Sequence, residues 1–317
     1  MTIKFGMVMD SIDQINIKKD TSFAMLLEAQ SRNWEIHYME LNDLYLNNGK
    51  PCARTRILHV QRNQNKWYEF IAEQDIALEN LDTIIMRKDP PFDQEYIYAT
   101  YLLEQAERLG TYVVNKPQSL RDANEKLFTA WFPQCCAETL VAREPQRFKQ
   151  FLDQHKEMIL KPLDGMGGTS IFHVRENDPN LNVILEIMTE YSSRYIMAQR
   201  YIPDIKDGDK RILLINGEPV PYALARIPAQ GESRGNLAAG GRAEGRKLSE
   251  RDLWIARQVG PTLKKKGLVF VGIDVIGDFL TEINVTSPTC VQELDSLFGL
   301  NISAQLMDHI EQSLASS

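Results

Sequence analysis

Three oxygen-bearing side chains lie close together in the stretch 270–288, near the C-terminal end of the sequence. The stretch reads as two short apolar strands around a Gly-Asp turn, with Asp274 on the first strand and Glu282 and Asn284 on the second. Because side chains alternate faces along a strand, Glu282 and Asn284 point the same way. Two carboxylates and a side-chain amide oxygen suit a hard divalent cation such as Mg²⁺, which also binds substrate phosphates. The alternative is a solvated hairpin with scattered acidic residues.

The metal prediction depends on the register of this hairpin. With a two-residue turn, Ile276 pairs with Phe279. Asp274 then falls opposite Thr281 and points away from Glu282. A three-residue connection or a bulge would instead place Asp274 opposite Glu282. The sequence therefore predicts an odd-length turn or a bulge at this point.

A lysine followed by glycines suggests a place for phosphate. Lys161 lies inside an apolar strand predicted over 158–163, where burying an ammonium group is costly unless an anion meets it. Gly165, Gly167 and Gly168 follow; they permit positive φ, and their N–H groups can cradle phosphate. An ordinary hairpin turn is the alternative. The stretch has neither the GK[ST] of a Walker A loop nor the full GxGxxG spacing of a Rossmann fingerprint.

A second lysine, Lys126, precedes this region. We expect it in the first turn of a helix that begins at Asp122 or Asn124. A helix N-terminus favours anions, and a lysine there adds a point charge for phosphate. A solvated surface lysine is the alternative.

Further polar residues follow the strand predicted over 194–202. The end of that strand, 199–202, offers backbone hydrogen bonds to an adenine edge, with apolar neighbours beside the ring. Asp209 follows after a short loop. Arg211 and Arg226 flank the predicted hairpin after it.

The stretch 229–246 differs in composition from its surroundings. It has five glycines, three arginines (Arg234, Arg242 and Arg246) and neither a helical nor a strand period. A loop of this length is usually a functional lid or disordered. The arginines favour a lid that closes over anionic groups.

The first third of the chain alternates predicted strands and helices. Strands are predicted over 3–9, 35–41, 81–86 and 111–115, with helices beginning at Asp20 or Thr21 and running over 94–109. On the second helix we expect one face to carry Tyr98, Tyr101, Leu102 and Gln105. The alternation predicts an α/β unit with a largely parallel sheet, whose ligands gather beyond the carboxyl ends of the strands. That places Lys18, Lys19, Arg87 and Lys88 where they could meet an anionic substrate. Two more helices are predicted over 248–265 and 301–315.

Composition narrows the classes of function. The 317 residues are 43% hydrophobic and 25% charged, a balance typical of a globular protein in water. The net charge of −7 argues against general nucleic-acid affinity. We expect no secretory signal and no membrane span, and neither the four cysteines nor the five histidines show metal-ligand spacing. These features favour a reducing, cytoplasmic compartment.

Together these pieces resemble the ATP-grasp superfamily and, within it, the bacterial glutathione synthetases. The resemblance runs from about residue 3 to 310 and is carried by MRKDPPFD, NKPQSLRDANEKLFTAWF, ILKPLDGMGG, DGDKRILLINGEPVPYALARIP, RGNLAAGGR and LTEINVTSPT. It implies an α/β and α+β ATP-grasp fold. The implied units are an N-terminal Rossmann-like (pre-ATP-grasp) domain over 1–122, a central ATP-grasp subdomain over 123–203 and a C-terminal ATP-grasp subdomain over 204–317. The last would carry a lid loop over 227–246.

Motif matching also implies residue roles. ATP would contact Lys126, Lys161, Gly165, Gly167, Gly168, Gln199, Tyr201, Ile202 and Asp209, with Asp209 at the ribose edge. Two Mg²⁺ ions, or Mn²⁺ in their place, would be held by Asp274, Glu282 and Asn284. The catalytic residues would be Arg211 and Arg226, facing an acyl phosphate. Substrates would lie near Asn284, Ser287 and Arg234, under a lid that includes Gly235, Gly240, Gly241 and Arg242.

The implied reaction joins γ-glutamylcysteine to glycine through an acyl phosphate, giving glutathione, ADP and phosphate. The implied protein is a cytoplasmic homotetramer that acts on small molecules, without nucleic-acid or membrane partners. Two rival interpretations stay open. One is another ATP-grasp carboxylate–amine ligase, of the D-alanine–D-alanine or glutamate ligase type. The other is an ATP-binding scaffold that has lost catalysis.

Overall fold

The N-terminal part of the chain forms a seven-stranded sheet. The computed structural model describes residues 2–165, 168–229 and 241–316. The strands of this sheet are β1 (Lys4–Val8), β2 (Glu35–Met39), β3 (Leu44–Asn47), β4 (Lys50–Val60), β5 (Tyr68–Ala77), β6 (Thr83–Met86) and β7 (Tyr112–Val114). They follow the order β3–β4–β2–β1–β6–β7, with β5 paired to β4.

Four of these strands form the predicted parallel sheet. β1 runs parallel to β2 and β6, and β6 runs parallel to β7. The antiparallel strands β3, β4 and β5 were not predicted. Helix α1 (Thr21–Ser31) begins after Asp20, whose carboxylate accepts a hydrogen bond from the N–H of Phe23.

The predicted helix over 94–109 is present as α2 (Gln94–Arg108), but its buried face is not the one that carries Tyr98 and Tyr101. Its buried side chains are Tyr96, Ala99, Thr100, Leu103 and Ala106. Tyr98 and Tyr101 are instead 53% and 52% exposed. The alanines let the helix approach its neighbours closely, but such small side chains give a weak hydrophobic signal in a sequence.

The central part of the chain forms a separate four-stranded sheet. Its elements are α3 (Pro117–Asp122), β8 (Thr139–Ala142), α4 (Pro145–His155), β9 (Glu157–Pro162), β10 (Phe172–Arg175), α5 (Leu181–Met188) and β11 (Ile196–Arg200). The order is β10–β9–β11–β8, and every pairing is antiparallel. Phe148, Leu160 and Ile196 belong to a core that this unit forms by itself.

The helix predicted to begin at Asp122 or Asn124 is not present. Helix α3 ends at Asp122, and a short 3₁₀ helix follows over Leu127–Trp131. The Asn124 side chain caps that turn, accepting hydrogen bonds from the N–H groups of Lys126 at 3.1 Å and Leu127 at 2.8 Å. The turn therefore holds Lys126 in place without the dipole of a full α-helix.

The C-terminal part forms a five-stranded sheet with helices on its faces. Its elements are β12 (Asp209–Ile215), β13 (Glu218–Ile227), β14 (Arg242–Lys247), α6 (Glu250–Lys265), β15 (Phe270–Ile276), β16 (Phe279–Asn284), α7 (Val291–Phe298) and α8 (Ile302–Ser316). The strand order is β14–β13–β12–β15–β16. The end of the predicted lid is a strand, β14, which pairs antiparallel with β13. This strand was not predicted, because its sequence lacks a strand period.

The β15–β16 hairpin has the predicted irregular register. Asp274 lies opposite Glu282, while Ile276 pairs with Phe279 across a two-residue turn. A bulge between Asp274 and Val275 reconciles these two pairings, which confirms the bulge and rejects the longer turn. The extra residue, Thr281, donates a hydrogen bond from its hydroxyl to the carbonyl oxygen of Asp274 at 3.1 Å.

The two ends of the chain pack together. Met7 and Leu26 share a core with Leu306 and Met307, so α8 covers one face of the N-terminal unit. The domain boundaries at 122 and 203 stay a prediction. None of the helices in the described ranges is long and apolar enough to span a membrane.

Candidate active site

A polar cavity of about 280 Å³ lies where the loops after β9 and β16 meet strands of the C-terminal sheet. Residues from all three parts of the chain line it. They include Asp89, Glu125, Lys126, Gly165, Gly168, Asp209, Arg211, Arg226, Asp274, Glu282, Asn284 and Ser287. We call this space the catalytic cavity; it brings together most of the predicted site residues that the structure describes.

Asp274 lies at the centre of the cavity and is almost fully buried. Both its carboxylate oxygens accept hydrogen bonds from Arg211, through Nε to Oδ1 and through Nη2 to Oδ2 at 2.8 Å. Arg226 Nη2 lies 2.9 Å from the same Oδ2. Burial alone would raise the pKa of Asp274, but the two guanidinium groups hold it well below its ordinary value. The carboxylate is therefore ionised, and it fixes two arginines side by side.

Asp209, on the strand beside that of Arg226, also pairs with Arg226. Its Oδ2 accepts a hydrogen bond from Arg226 Nη2, while Oδ1 is buried without a partner among the described residues. Burial raises the pKa of Asp209 to about 7, against the opposing effect of Arg226. Asp209 also lines a second cavity at the end of β11, so it lies on the wall between the two spaces.

Lys126 projects into the catalytic cavity among acidic groups. Its Nζ pairs with Glu125, donates to the carbonyl oxygen of Gly165 at 3.1 Å and lies 3.7 Å from Glu282 Oε1. Burial would lower the pKa of Lys126, but Glu282 and Glu125 raise it. Sequence reasoning missed Glu125, because an acid beside a lysine in a polar loop gives no signal of burial.

A second, more apolar cavity of about 90 Å³ lies at the end of β11. Lys161, Gln199, Tyr201 and Ile202 line it, which brings together the predicted adenine-side residues. We call it the nucleotide cavity. The ring of Tyr201 stacks on His173 with centroids 4.0 Å apart, and His173 was not predicted.

Lys161 is the buried cation of the nucleotide cavity. Its Nζ lies 3.2 Å from Gln199 Oε1, and no carboxylate of the described residues lies within ion-pair distance. Burial lowers the pKa of Lys161. An ammonium group in such a place is stabilised by an anionic ligand.

The predicted metal ligands face one another across the hairpin. Asn284 Nδ2 donates to Asp274 Oδ2 at 3.3 Å, which leaves the amide oxygen of Asn284 for another partner. Asp274 Oδ2 already meets three donors, whereas Oδ1 meets one. Within the described ranges, no group of three or more His, Cys, Asp or Glu side chains could hold a metal by itself. The donor set fits a hard cation that shares its coordination with phosphate oxygens.

Several predicted residues are not placed at the site. Gly167, Arg234, Gly235 and Gly240 lie outside the described residues. Gly165 and Gly168, in contrast, line the catalytic cavity, with φ of 100° and 75° in the left-handed region that glycine favours. Gly241 directly precedes β14. Arg242, in that strand, has a side chain that is 73% exposed and pairs with Glu244 rather than with the catalytic cavity.

Comparison with known proteins gives one consistent family. The model "Prokaryotic glutathione synthetase, N-terminal domain" matches residues 3–121, and "Prokaryotic glutathione synthetase, ATP-grasp domain" matches residues 125–299. The glutathione synthetase of Escherichia coli K12 is 64% identical over 312 residues, covering 98% of this chain and 99% of that protein. That of Yersinia pestis is 65% identical over 314 residues, covering 99% and 98%.

Among solved structures, the likeness extends to other synthetases. D-cycloserine synthetase DcsG superposes with a TM-score of 0.69 at 12% identity, covering 98% of this chain and 99% of that one. D-alanyl-alanine synthetase A from Vibrio cholerae gives a TM-score of 0.60 at 12% identity, covering 99% of both chains. At this identity the likeness shows a shared fold and no more.

Proposed function

The chain belongs to the prokaryotic glutathione synthetase family, and we propose that it joins γ-glutamylcysteine to glycine in the catalytic cavity. Membership makes it an ATP-dependent ligase of glutathione biosynthesis with an ATP-grasp fold. The observation that carries the residue roles is the placement of Arg211 and Arg226 on one buried carboxylate, in the same cavity as Lys126.

The reaction begins with transfer of the γ-phosphoryl group of ATP to the cysteinyl carboxylate. A carboxylate resists attack by an amine at neutral pH, whereas an acyl phosphate carries a good leaving group. The glycine nitrogen then attacks the acyl carbon and loses its extra protons, the C–O bond to phosphate breaks, and glutathione, ADP and phosphate leave. Ligation needs no protein nucleophile.

The arginine pair stabilises the charge that develops during these steps. Arg211 is buried, the Arg226 side chain is only 14% exposed, and Asp274 holds both in a fixed orientation. Guanidinium groups that are already oriented stabilise a tetrahedral oxyanion and a departing phosphate without reorganising. The two arginines therefore act on the transition state more than on bound ATP.

The nucleotide would lie between the central and C-terminal sheets. Gln199, Tyr201 and Ile202 would bind the adenine, with Asp209 toward the ribose. Lys161 and Lys126 would meet the phosphates, under the glycine loop that contains Gly165 and Gly168. This assignment is supported by the two lysines, which enter adjoining cavities from two sides.

Asp274, Glu282 and Asn284 would hold Mg²⁺, or Mn²⁺ in its place, as two ions shared with the phosphates. When bound, the ions would neutralise charge between the phosphate groups. The segment that contains Arg234 would close over the substrates as a lid and exclude water, since acyl phosphates hydrolyse. Ser287 would lie beside the peptide substrates, because it lines the catalytic cavity.

A substrate panel tests the function. Purified protein is assayed for phosphate release from ATP with γ-glutamylcysteine and glycine together, with each alone, and with D-alanine alone. We expect phosphate and glutathione in equal amounts only when both substrates are present. Phosphate release with D-alanine alone would favour the D-alanine ligase alternative. No phosphate release with any of these substrates would favour the scaffold that has lost catalysis.

We also propose a cytoplasmic homotetramer. The proposal rests on the family, and the exposed Tyr98 and Tyr101 on helix α2 supply aromatic surface that a subunit contact would cover. Light scattering of the purified protein measures the oligomer directly. A monomer at micromolar concentration would contradict the tetramer.

A further inference from the structure

The two lysines assigned to the phosphates differ in what surrounds them. The ammonium group of Lys161 has the amide oxygen of Gln199 as its one partner within the described ranges. The ammonium group of Lys126 instead forms an ion pair with Glu125, and the Lys126 side chain is only 4% exposed. One lysine therefore waits for an anion, whereas the other already has one.

Three oxygen atoms surround the ammonium group of Lys126. It pairs with Glu125, donates to the carbonyl oxygen of Gly165 at 3.1 Å and lies 3.7 Å from Glu282 Oε1. An ammonium group has three N–H donors, so each of them already faces an acceptor. A phosphate oxygen that binds Lys126 therefore has to take the place of one of these acceptors.

Glu125 is fixed beside the hairpin that carries the predicted metal ligands. Its carbonyl oxygen accepts the N–H of Ile283 at 2.8 Å, and Ile283 lies on β16 between Glu282 and Asn284. The Glu125 side chain lines the catalytic cavity and is only 20% exposed. When a phosphate takes Lys126, the Glu125 carboxylate therefore stays close to Glu282 instead of moving into bulk water.

The charges around Lys126 do not balance once phosphate binds. Glu125 and Glu282 share one ammonium group, and a phosphate that takes this group leaves two carboxylates next to its own negative charge. Like charges at this range in a partly buried place repel one another strongly. A divalent cation at Glu282 and Asn284 would supply the missing positive charge, because hard cations attract carboxylate and phosphate oxygens together.

We propose that Glu125 couples nucleotide binding to metal binding. Before nucleotide binds, Glu125 neutralises Lys126 and positions it. After the phosphates take Lys126, the charge of Glu125 adds to that of Glu282 in attracting the cation. ATP alone is then a poor ligand, and ATP with the metal is a good one. The inference rests on the proposed function and adds a residue that makes the two ligands depend on each other.

A structural ion pair is the competing interpretation. In that case Glu125 would keep its contact with Lys126 when ATP binds and would only hold the lysine in place. Loss of the Glu125 charge would then change the affinity for ATP by the same factor with and without metal. The two interpretations therefore differ in a ratio of affinities.

Calorimetric titration with ATP, once in Mg²⁺ and once in EDTA, measures this ratio. The quantity compared is the Kd in EDTA divided by the Kd in Mg²⁺, with no peptide substrate present, so the result does not depend on turnover. The variants are Glu125→Gln, Glu125→Asp and Lys126→Met. Glu176→Gln is the matched control, because Glu176 also pairs with one lysine, Lys156, but on the surface. Urea denaturation shows that each variant is folded.

We expect Glu125→Gln to lower the ratio about 10-fold, within the usual range for coupling between two ligands. ATP in EDTA should bind more tightly than to wild type, because one repelling carboxylate is gone, and ATP with Mg²⁺ should bind equally or more weakly. Glu125→Asp keeps the charge and should keep a ratio near that of wild type. Lys126→Met should raise the ratio, because loss of a positive charge increases the need for the cation. Glu176→Gln should leave the ratio unchanged.

An unchanged ratio in Glu125→Gln, or equal changes of both Kd values, would show that Glu125 is only a structural partner and would overturn the proposal. If Glu125→Gln does not fold, Glu125→Ser also removes the charge and decides the question by the same ratio. A wild-type protein that binds no ATP in either condition would overturn both this proposal and the nucleotide assignment. A wild-type protein that binds ATP but forms no glutathione would refute the proposed ligation alone.

Discussion

The catalytic and nucleotide cavities differ in how their buried charges are paired. In the catalytic cavity, Asp274 holds Arg211 and Arg226, so each charge has a partner before any substrate arrives. In the nucleotide cavity, the amide oxygen of Gln199 at 3.2 Å is the one partner of the Lys161 ammonium group within the described ranges. Paired charges stabilise the folded protein and orient one another, whereas an unpaired charge gains its partner from a ligand. The comparison predicts opposite results when the two kinds of charge are removed.

Replacing Asp274 with Ala should have the largest effect. Two guanidinium groups would lose their shared acid in a buried place, a change that costs about 3–5 kcal/mol in known cases. We expect a matching loss in the free energy of unfolding, measured by urea denaturation, together with loss of ligation. Asp274→Asn, which keeps the shape, is the control. Unchanged stability would show that the arginines do not depend on this acid.

Replacing Arg226 with Ala should lower turnover strongly. Since its ligand charge develops during reaction, we expect kcat to fall about 10²- to 10³-fold while the Kd for ATP changes much less. Arg226→Lys should recover only part of the lost kcat, because an ammonium group cannot reproduce the planar, two-pronged hydrogen bonding of a guanidinium group. Steady-state kinetics and nucleotide titration measure the two quantities separately. An equal loss of ATP affinity would contradict the assigned role.

Replacing Lys161 with Met should affect nucleotide affinity and spare the fold. We expect the Kd for ATP to rise about 10- to 100-fold. Without ATP, the free energy of unfolding should stay constant or increase, because an unpaired buried ammonium group is removed. Calorimetric titration and urea denaturation provide the measurements. A destabilisation as large as that of Asp274→Ala would remove the contrast between the cavities.

Asp209 should produce an effect that is visible only in the pH dependence of stability. Burial raises its pKa from 3.8 to about 7. Between these values the folded state binds more protons than the unfolded state, so this contribution to stability is present below pH 3.8 and is lost as pH rises through about 7. Wild type should therefore lose stability relative to Asp209→Asn from pH 5 to 8, by at most about 1.4 kcal/mol per pH unit. If the free energies of unfolding of wild type and Asp209→Asn changed in parallel with pH, the raised pKa would be contradicted.

The hairpin register shows what the sequence could predict. The predicted metal site required Asp274 to face Glu282, strand alternation showed that this needs an odd-length turn or a bulge, and the bulge supplies that register. Local geometry of this kind depends on neighbouring residues, so it can be worked out from spacing. The alternation of strands and helices likewise predicted the four parallel strands.

Other features depend on contacts between distant segments and gave no such signal. Lys126 was predicted at a helix start, but its position depends on an Asn124 cap and on Gly165, 39 residues away in sequence. Arg87 looked like one cation among several in polar loops. Its burial follows from contacts with Ser22 and Pro288, 65 and 201 residues away in sequence. The buried face of α2 gave little signal because it carries two alanines and a threonine beside Tyr96 and Leu103.

An isotope experiment tests the central chemistry most directly. γ-Glutamylcysteine labelled with ¹⁸O in its cysteinyl carboxylate is ligated to glycine with unlabelled ATP, and the released phosphate is analysed by mass spectrometry. The acyl phosphate places one carboxylate oxygen between carbon and phosphorus, so we predict that each phosphate carries one ¹⁸O from fully labelled substrate. Phosphate without ¹⁸O, formed alongside glutathione, would contradict the proposed reaction.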